Sequence, residues 1–347
     1  MQFFFIFLLI LLACIMLMTF VVYNNIKLSP QTKQLLIDKQ KEPLKIAISG
    51  TTGTASNNGI NISYEVQGDL EKEIILLISG HSMTMLDWPE YFISPLLQHG
   101  YTIVRLDNRD TGESDWVSDW SKENPYTLED MAEDTMAVVN HLGLSQIHLI
   151  GMSMGGMIAQ RIAINYPEKI STLTSIMSTG HYHDKKLTSV PFSFLSNLIG
   201  LQLAYASKLK FEHGKVGFYL GLNKILSGKG YNPDYNWIID KCLYEIRNRN
   251  GYNPKASPHQ SAAIKKSGSR YKQLSKIKKP TLIIHGTEDP LIKIAHGKKY
   301  ASIIPVASTF FIQGMGHDLN PNFTPEITLG IIQHINLSKE SNLKENL

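Results

Sequence analysis

The sequence is poor in cysteine, and this scarcity argues against two classes of protein. Only Cys14 and Cys242 occur in 347 residues, and they lie in separate regions of the chain, so a disulfide framework is not expected. No group of cysteines and histidines has the spacing of metal ligands. We therefore predict no metal site.

The sequence also lacks a strong excess of one charge. Its 34 Lys and Arg residues against 30 Asp and Glu give a formal net charge of +4, and the lysines are spread along the chain. No nucleic-acid partner is predicted from this pattern. Hydrophobic residues make up 43% of the sequence and charged residues 18%, which is typical of one globular α/β domain with additional segments.

Charged residues are absent from one long stretch, Phe3 to Tyr23. Crossing a bilayer core takes about 20 apolar residues, so residues 1–23 are predicted to form a single-pass transmembrane anchor. No basic residue precedes the run and no good cleavage site follows it, which favours an anchor over a cleaved signal peptide. Because lysines follow the run, the positive-inside rule places the next domain in the cytoplasm, and export is the competing interpretation.

A polar tether is predicted at 24–44, and a globular pattern begins after it. Strands are predicted at Lys45 to Ile48 and at Ile62 to Val66. The segment between them, 49–59, is rich in turn-forming residues, and its Asn58-Gly59 pair is a strong hairpin signal.

Apolar runs then alternate with segments of helical periodicity. Runs such as Ile74 to Ser79 and Thr281 to His285 are typical of strands covered on both faces. The alternation predicts an α/β fold with a mostly parallel, doubly wound central sheet, built from 45–180 and 271–338. Residues 181–270 break the rhythm and are predicted to form an inserted helical cap, and residues 339–347 a polar tail.

One short motif combines a strand, a sharp turn and a helix. Gly151-Met152-Ser153-Met154-Gly155 follows the apolar run Ile147 to Ile150 and opens a helical pattern. A serine in G-x-S-x-G stands on a strained strand-to-helix turn with its hydroxyl exposed at the top of a sheet. Glycines are needed there because neighbouring backbone comes close. Ser153 is therefore the candidate nucleophile.

A serine hydroxyl needs a histidine base held by a carboxylate, and the later strands supply both groups. In open parallel sheets, ligands collect at the carboxyl ends of strands. Asp289 follows one strand as the predicted acid, and His317 follows the next as the predicted base, in the chain order Ser, acid, His. Glu288 and Asp318 are weaker candidates for the acid, because Glu288 would point elsewhere and Asp318 adjoins His317 too closely.

Acyl transfer also needs two donors for the developing oxyanion. The backbone N–H of Met154 is one predicted donor, and the N–H of His81, in the loop after Ile74 to Ser79, is the other. The His81 imidazole either reaches the substrate or is a structural group at the pocket rim. In the loop 106–115, Asp107 and Arg109 are expected to pair with each other.

Taken together, these motifs resemble the α/β-hydrolase fold superfamily over about residues 60–336. They are SGHS (79–82), DNRDTGES (107–114), GMSMGG (151–156), HGTEDP (285–290) and GMGHDL (314–319). Ser79 stands where most members have histidine. The segment 79–89 together with 107–114 is similar to the aclacinomycin methylesterase group, whose members cleave small ester groups. The resemblance implies a Ser–His–Asp hydrolase that needs no metal or organic cofactor.

The expected function is a membrane-anchored serine hydrolase that cleaves a small-molecule carboxylic ester, with an apolar part, through an acyl-enzyme. An iminopeptidase-like or lipase-like hydrolase, or a non-catalytic binding protein on the same scaffold, is the alternative. The cap would select the substrate, and residues 181–270 carry no signature that identifies it.

Overall fold

The computed structural model describes residues 16–44, 48–187 and 190–345. Residues 16–26 are helical, and most of the predicted anchor at 1–23 lies outside the described residues. Among those residues, no helix is long and apolar enough to cross a membrane.

A central sheet organises the molecule. Its eight strands, counted over the described ranges, follow the spatial order β1-β2-β4-β3-β5-β6-β7-β8. The strands are β1 (Thr51–Asn57), β2 (Ile60–Gln67), β3 (Ile74–Ile78), β4 (Thr102–Leu106), β5 (Ile147–Met152), β6 (Ile170–Ile176), β7 (Thr281–Gly286) and β8 (Ala307–Ile312). The β1–β2 and β2–β4 pairs are antiparallel, and the remaining pairs are parallel. The predicted α/β fold with a mostly parallel sheet is therefore confirmed.

Helices cover both faces of this sheet and form the inserted segment, and one lies in the N-terminal arm. They are α1 (Pro30–Lys39), α2 (Glu90–Gln98), α3 (Leu128–His141), α4 (Met154–Asn165), α5 (Phe192–Tyr205), α6 (Glu212–Leu226), α7 (Tyr235–Asn248), α8 (Ala256–Ser267), α9 (Tyr271–Leu274), α10 (Ile294–Ala301) and α11 (Thr324–Glu345). Helices α3, α4 and α10 pack in one apolar cluster and α2 and α11 in another. Strands β3 to β7 are buried on both faces, as their continuous apolar runs predict.

The first hairpin differs from the sequence prediction. Strand β1 lies inside the segment 49–59 that was expected to be a loop, and Ile48 is not part of a strand; Lys45 to Ala47 lie outside the described residues. The turn itself is confirmed, since Asn57 pairs with Ile60 across Asn58-Gly59, whose φ angles are +49° and +83°. Thr-rich β1 was hard to recognise because most of it is exposed and carries no apolar alternation.

The segment between β6 and β7 forms helices α5 to α9 beyond the carboxyl ends of the strands. The N-terminal arm, 24–44, packs on this cap where the sequence indicates a polar tether. Leu28 and Leu36 join an apolar cluster with residues of α6 and α7. Lys39 Nζ lies 2.5 Å from Asp240 Oδ2, with both side chains largely buried. The sequence around the arm is polar and gives no sign of this contact, because the two partners are 201 residues apart.

Candidate active site

Ser153 sits on a strained turn between β5 and α4. Its φ of +53° and ψ of −119° are unfavourable for a residue with a side chain, and they direct the chain sharply from strand to helix. A Cβ on Gly155 would overlap the Ile78 carbonyl oxygen, and one on Gly151 would overlap the Gly155 carbonyl oxygen. Glycine at these positions is therefore a steric requirement of the turn.

The structure brings together the three residues predicted from the motifs. His317 Nε2 lies 3.0 Å from Ser153 Oγ, and His317 Nδ1 lies 2.6 Å from Asp289 Oδ2. Because a carboxylate accepts hydrogen bonds, Nδ1 carries the proton and Nε2 is free to accept from the serine hydroxyl. All three residues are buried. This relay can remove the proton from a serine as it attacks a carbonyl group.

Asp289 is held as an anion by its surroundings. Burial opposes its ionisation, but the imidazoles of His317 and His285 outweigh this cost, so the pKa of the Asp289 carboxyl lies below its usual value. Its Oδ1 accepts from the backbone N–H groups of Leu291 at 2.8 Å and Ile292 at 2.7 Å. The carboxylate is thus fixed at one oxygen and offers the other to His317.

Neither alternative acid takes this place. Asp318 Oδ2 accepts from Ser227 Oγ at 2.6 Å, on the cap side of the loop. Glu288 contacts the histidine loop through its backbone N–H, which donates to the Met315 carbonyl at 3.0 Å. The cap also contacts the histidine loop directly, since the His317 N–H donates to the Leu226 carbonyl at 2.8 Å.

The loop after β3 lies against the nucleophile. A Cβ on Gly80 would stand 3.3 Å from the Cβ of Ser153, so the backbone that leads to His81 passes beside the reacting group. Met154 is the first residue of α4, where backbone N–H groups lack partners within the helix. Both predicted oxyanion donors therefore belong to segments that adjoin Ser153.

The His81 imidazole faces the cap. Its Nε2 lies 3.0 Å from both the Ser257 carbonyl oxygen and Ser261 Oγ, in helix α8. The side chain also lines the cavity described below, so the structural role at the rim is the one with observed contacts.

The loop 106–115 is braced differently from the prediction, and the expected Asp107–Arg109 pair is wrong. Arg109 forms a bidentate pair with Asp134 of α3, at 2.6 and 2.7 Å. Asp107 instead pairs with Arg249, which follows α7, and accepts from the Met85 N–H at 2.7 Å. Each of the two side chains therefore has a long-range partner in place of the expected local one.

A network of buried charges ties α7 to the core. Lys241 Nζ lies 2.6 Å from Asp87 Oδ1, and Arg249 contacts both Asp107 and Glu245. Three carboxylates thus share two cations. Burial and the nearby Asp107 charge outweigh the attraction of Arg249 and Lys241 and raise the pKa of Glu245 to about 7. These residues were missed in the sequence, because Glu245 and Arg249 look like an ordinary exposed pair at helical spacing.

A large cavity opens between core and cap, with Ser153 and His317 in its wall. Its volume is about 1090 Å³, which exceeds what a small ester alone would fill. The cap contributes apolar side chains to it: Phe194, Leu198, Phe218, Leu222 and Leu226. Met83, Met152, Met154, Met157 and Met177 line it near the serine. Over the part of the chain that the structure describes, no group of His, Cys, Asp or Glu residues could hold a metal ion.

Fold and site together define a class of protein, and comparison with known proteins gives the same class. The alpha/beta hydrolase fold family matches residues 73–322, and the chain belongs to it. It is an esterase-like α/β hydrolase, as the sequence predicts.

Individual relatives refine this picture. Rhodomycin D methylesterase DnrP of Streptomyces peucetius is 26% identical over 283 residues, covering 77% of this chain and 92% of its own. The predicted likeness to the methylesterase group is thereby confirmed.

Solved structures share the fold. An esterase from Exiguobacterium antarcticum superposes with a TM-score of 0.65 at 20% identity, over 83% of this chain and 99% of its own. A membrane phospholipase A superposes with a TM-score of 0.63 at 19% identity, over 98% of this chain and 99% of its own.

Proposed function

We propose that this protein is a carboxylic ester hydrolase in which Ser153, His317 and Asp289 form a catalytic triad. The observation that carries the proposal is the continuous relay from Asp289 Oδ2 to His317 Nδ1 at 2.6 Å and from His317 Nε2 to Ser153 Oγ at 3.0 Å. A buried histidine in this tautomer is the base that a serine hydroxyl requires.

The reaction has two halves. Ser153 Oγ attacks the ester carbonyl carbon while its proton passes to His317 Nε2, and Asp289 stabilises the resulting imidazolium. The N–H groups of His81 and Met154 bind the negative oxygen of the tetrahedral intermediate. His317 then gives its proton to the departing alcohol, which leaves the acyl-enzyme. A water molecule, deprotonated by His317, releases the acid and restores Ser153.

The cavity supports an ester with a sizeable apolar part, on either the acyl or the alcohol side. Leu226 and Leu291 belong to one apolar cluster with Phe218 and Leu222, and they adjoin the loops of His317 and Asp289. A lipase-like specificity is therefore the second candidate. Relative kcat/KM values over a panel of acyl and alcohol lengths test it: values that rise with chain length support it, and a maximum at acetyl or methyl esters contradicts it.

The test of the proposed reaction is hydrolysis of short p-nitrophenyl esters together with labelling by a fluorophosphonate probe. Ser153→Ala should abolish labelling and reduce kcat by about 10⁴-fold or more. Activity and labelling that both survive in Ser153→Ala would overturn the assignment. Hydrolysis of amino-terminal prolyl amides in preference to esters would favour the iminopeptidase-like alternative. A folded protein that no serine-directed probe labels would favour the binding protein.

We further propose that the protein is membrane-associated through residues 1–23, with the catalytic domain on the cytoplasmic side. The exposed apolar residues of the 16–23 segment support this, since Leu17 is 65% and Phe20 63% exposed. Helix α5 continues the surface: Leu203 is 74% and Phe192 70% exposed, and a Cβ on Gly200 of α5 would press on Val22. Contiguous apolar patches of this kind mark interaction surfaces.

A further inference from the structure

Helix α8 of the cap contacts the turn at His81 and Ser82, where His81 carries one predicted oxyanion donor. Ser257, Gln260 and Ser261 are spaced three and four residues apart, so they share one face of the helix. The Ser82 N–H donates to Gln260 Oε1 at 2.6 Å, and His81 Nε2 contacts Ser257 and Ser261 at 3.0 Å each. Two consecutive residues of the turn are thus held by three contacts to one helix.

Gln260 joins this turn to a second fixed loop. Its side chain is fully buried, and its Nε2 donates to the Arg109 carbonyl at 3.1 Å while Oε1 accepts from Ser82. Arg109 is itself clamped by Asp134. Because both ends of the Gln260 amide are engaged, it cannot rotate without leaving a buried polar group unpaired.

The turn needs such a support because its backbone is strained. Ser82 has a φ of +58°, a left-handed conformation that residues with side chains rarely adopt. The Ser82 N–H belongs to the peptide directly after His81, so its hydrogen bond fixes one side of His81 and excludes that N–H from the oxyanion site. Strain of this kind persists only where the surroundings enforce it.

The His81 side chain restrains the same residue from outside. The Ser257 carbonyl oxygen only accepts, so Nε2 carries the imidazole proton, and Ser82 Oγ lies 3.4 Å from Nδ1. Burial lowers the pKa of His81, which favours this neutral form. Helix α8 is in turn fixed to the core, because His259 Nδ1 lies 2.9 Å from Asp110 Oδ2.

We propose that Gln260 is a positioning residue for the oxyanion hole: by holding the Ser82 N–H, it keeps the N–H of His81 directed at the reacting carbonyl oxygen. The inference rests on the proposed function, since it gives a task to the predicted donor. It also assigns the cap a part in the chemistry, because α8 supplies the support.

The variant Gln260→Met tests this, because it keeps the length of the side chain and removes both hydrogen bonds. Complete loss of one oxyanion donor costs about 10²–10³-fold in kcat, so a displaced donor is expected to cost about 10-fold. KM for a short p-nitrophenyl ester should change less than about 2-fold. A fall in kcat at nearly constant KM is expected when the lost interaction is made only in the transition state. The affinity for a trifluoromethyl ketone, which forms a tetrahedral oxyanion on Ser153, should fall by the same factor as kcat.

Gln160→Met is the matched control. Gln160 is also fully buried, and its amide contacts Arg270 at 2.9 Å and the Thr179 carbonyl at 3.4 Å. Both variants should lower Tm, but only Gln260→Met should weaken ketone binding per folded molecule. If Gln260→Met does not fold, Gln260→Asn, whose side chain is too short to reach Ser82, must show the same paired losses.

Unchanged kcat and ketone affinity in a folded Gln260 variant would overturn the inference, as would an equal loss in Gln160→Met. The proposed function fails separately: in that case Ser153→Ala retains activity. If activity depends on Ser153 but the Gln260 variants leave kcat and ketone affinity unchanged, only the positioning role is wrong.

Discussion

Asp289 shows how single side chains hold the site together. Its two oxygens bind different groups, backbone N–H donors at Oδ1 and His317 at Oδ2. The loop is therefore built around the anion, and a neutral amide in its place would have to present an N–H to one of these donors.

Asp289→Asn should leave the fold largely intact and reduce kcat by about 10³–10⁴-fold, because an amide no longer holds His317 in the productive tautomer. Steady-state kinetics on a short ester measures the effect. The adjacent Glu288→Gln is the control and should stay within about 3-fold of wild type. Equal losses in both variants would show that the loop as a whole, and not the Asp289 carboxylate, is required.

The candidate triad could be predicted from the sequence because each of its residues follows the end of a strand and the three occur in a characteristic order along the chain. Ser153, Asp289 and His317 each follow a strand of one parallel sheet, so topology alone brings them near one another. The partner of Asp107 could not be found in the same way. Arg249 lies 142 residues away in the cap, where no repeated pattern fixes its position.

Among the elements, the turn between β5 and α4 has no room for a side chain at Gly151 or Gly155. The steric overlap at Gly155 involves backbone of β3, which cannot move without disturbing the sheet.

We expect Gly155→Ala to destabilise the protein by roughly 2–4 kcal/mol, seen as a lower Tm together with loss of activity. Gly330→Ala, in α11, is the comparison: the added methyl would meet only two Phe310 ring carbons, at 3.2 and 3.3 Å, and alanine favours helix by about 1 kcal/mol. A Gly155→Ala variant as stable as Gly330→Ala would contradict the steric argument.

The charge network on α7 should make stability depend on pH. The pKa of Glu245 is about 7 in the folded protein, against an ordinary value of 4.5. Because its pKa is raised, folded Glu245 binds a proton more tightly than it does in the unfolded chain. The stabilisation that comes from this protonated carboxyl is complete below about pH 4.5 and is lost as pH rises through about 7. Glu245→Gln should therefore gain stability relative to wild type between pH 5 and 8, up to roughly 3 kcal/mol.

Thermal unfolding at pH 5, 6.5 and 8 measures this difference. Exposed Glu326→Gln should follow the wild-type profile at every pH. A Glu245→Gln variant that loses stability relative to wild type as pH rises would show that the Arg249 and Lys241 charges hold Glu245 ionised.

Element type was predictable wherever a segment is apolar on two faces or has a clear helical period. Strand β1 and helix α1 escaped because their order comes from partners, β2 and the cap, and not from their own composition. The sequence located the cap as one segment, 181–270, but it did not predict the contacts between the cap and the candidate catalytic loops, since these depend on single polar atoms.

At the scale of the whole molecule, the apolar surface of the 16–23 segment and α5 should affect activity at a membrane. Replacing Phe192, Leu195 and Leu203 of α5 by serine should lower hydrolysis of a long-chain ester embedded in phosphatidylcholine and phosphatidylglycerol vesicles several-fold, because less apolar area enters the lipid. Hydrolysis of a soluble short ester should not change.

The control is Leu329→Ser with Leu337→Ser, on the exposed side of α11. If both sets of substitutions lower hydrolysis of the vesicle-embedded ester equally, the α5 surface does not bind lipid preferentially. Loss of vesicle co-sedimentation after deletion of residues 1–23 tests the anchor itself.

The contact between the N-terminal arm and the cap has a mechanical consequence. Lys39 pairs with Asp240 of α7, and Leu36 packs against apolar residues of α6 and α7. The arm is therefore joined to cap helices that line the cavity. If residues 1–23 are embedded in a bilayer, load on the anchor is transmitted first to the cap above Ser153. From the cap it reaches the core through the buried pairs of Lys241 with Asp87 and of Arg249 with Asp107.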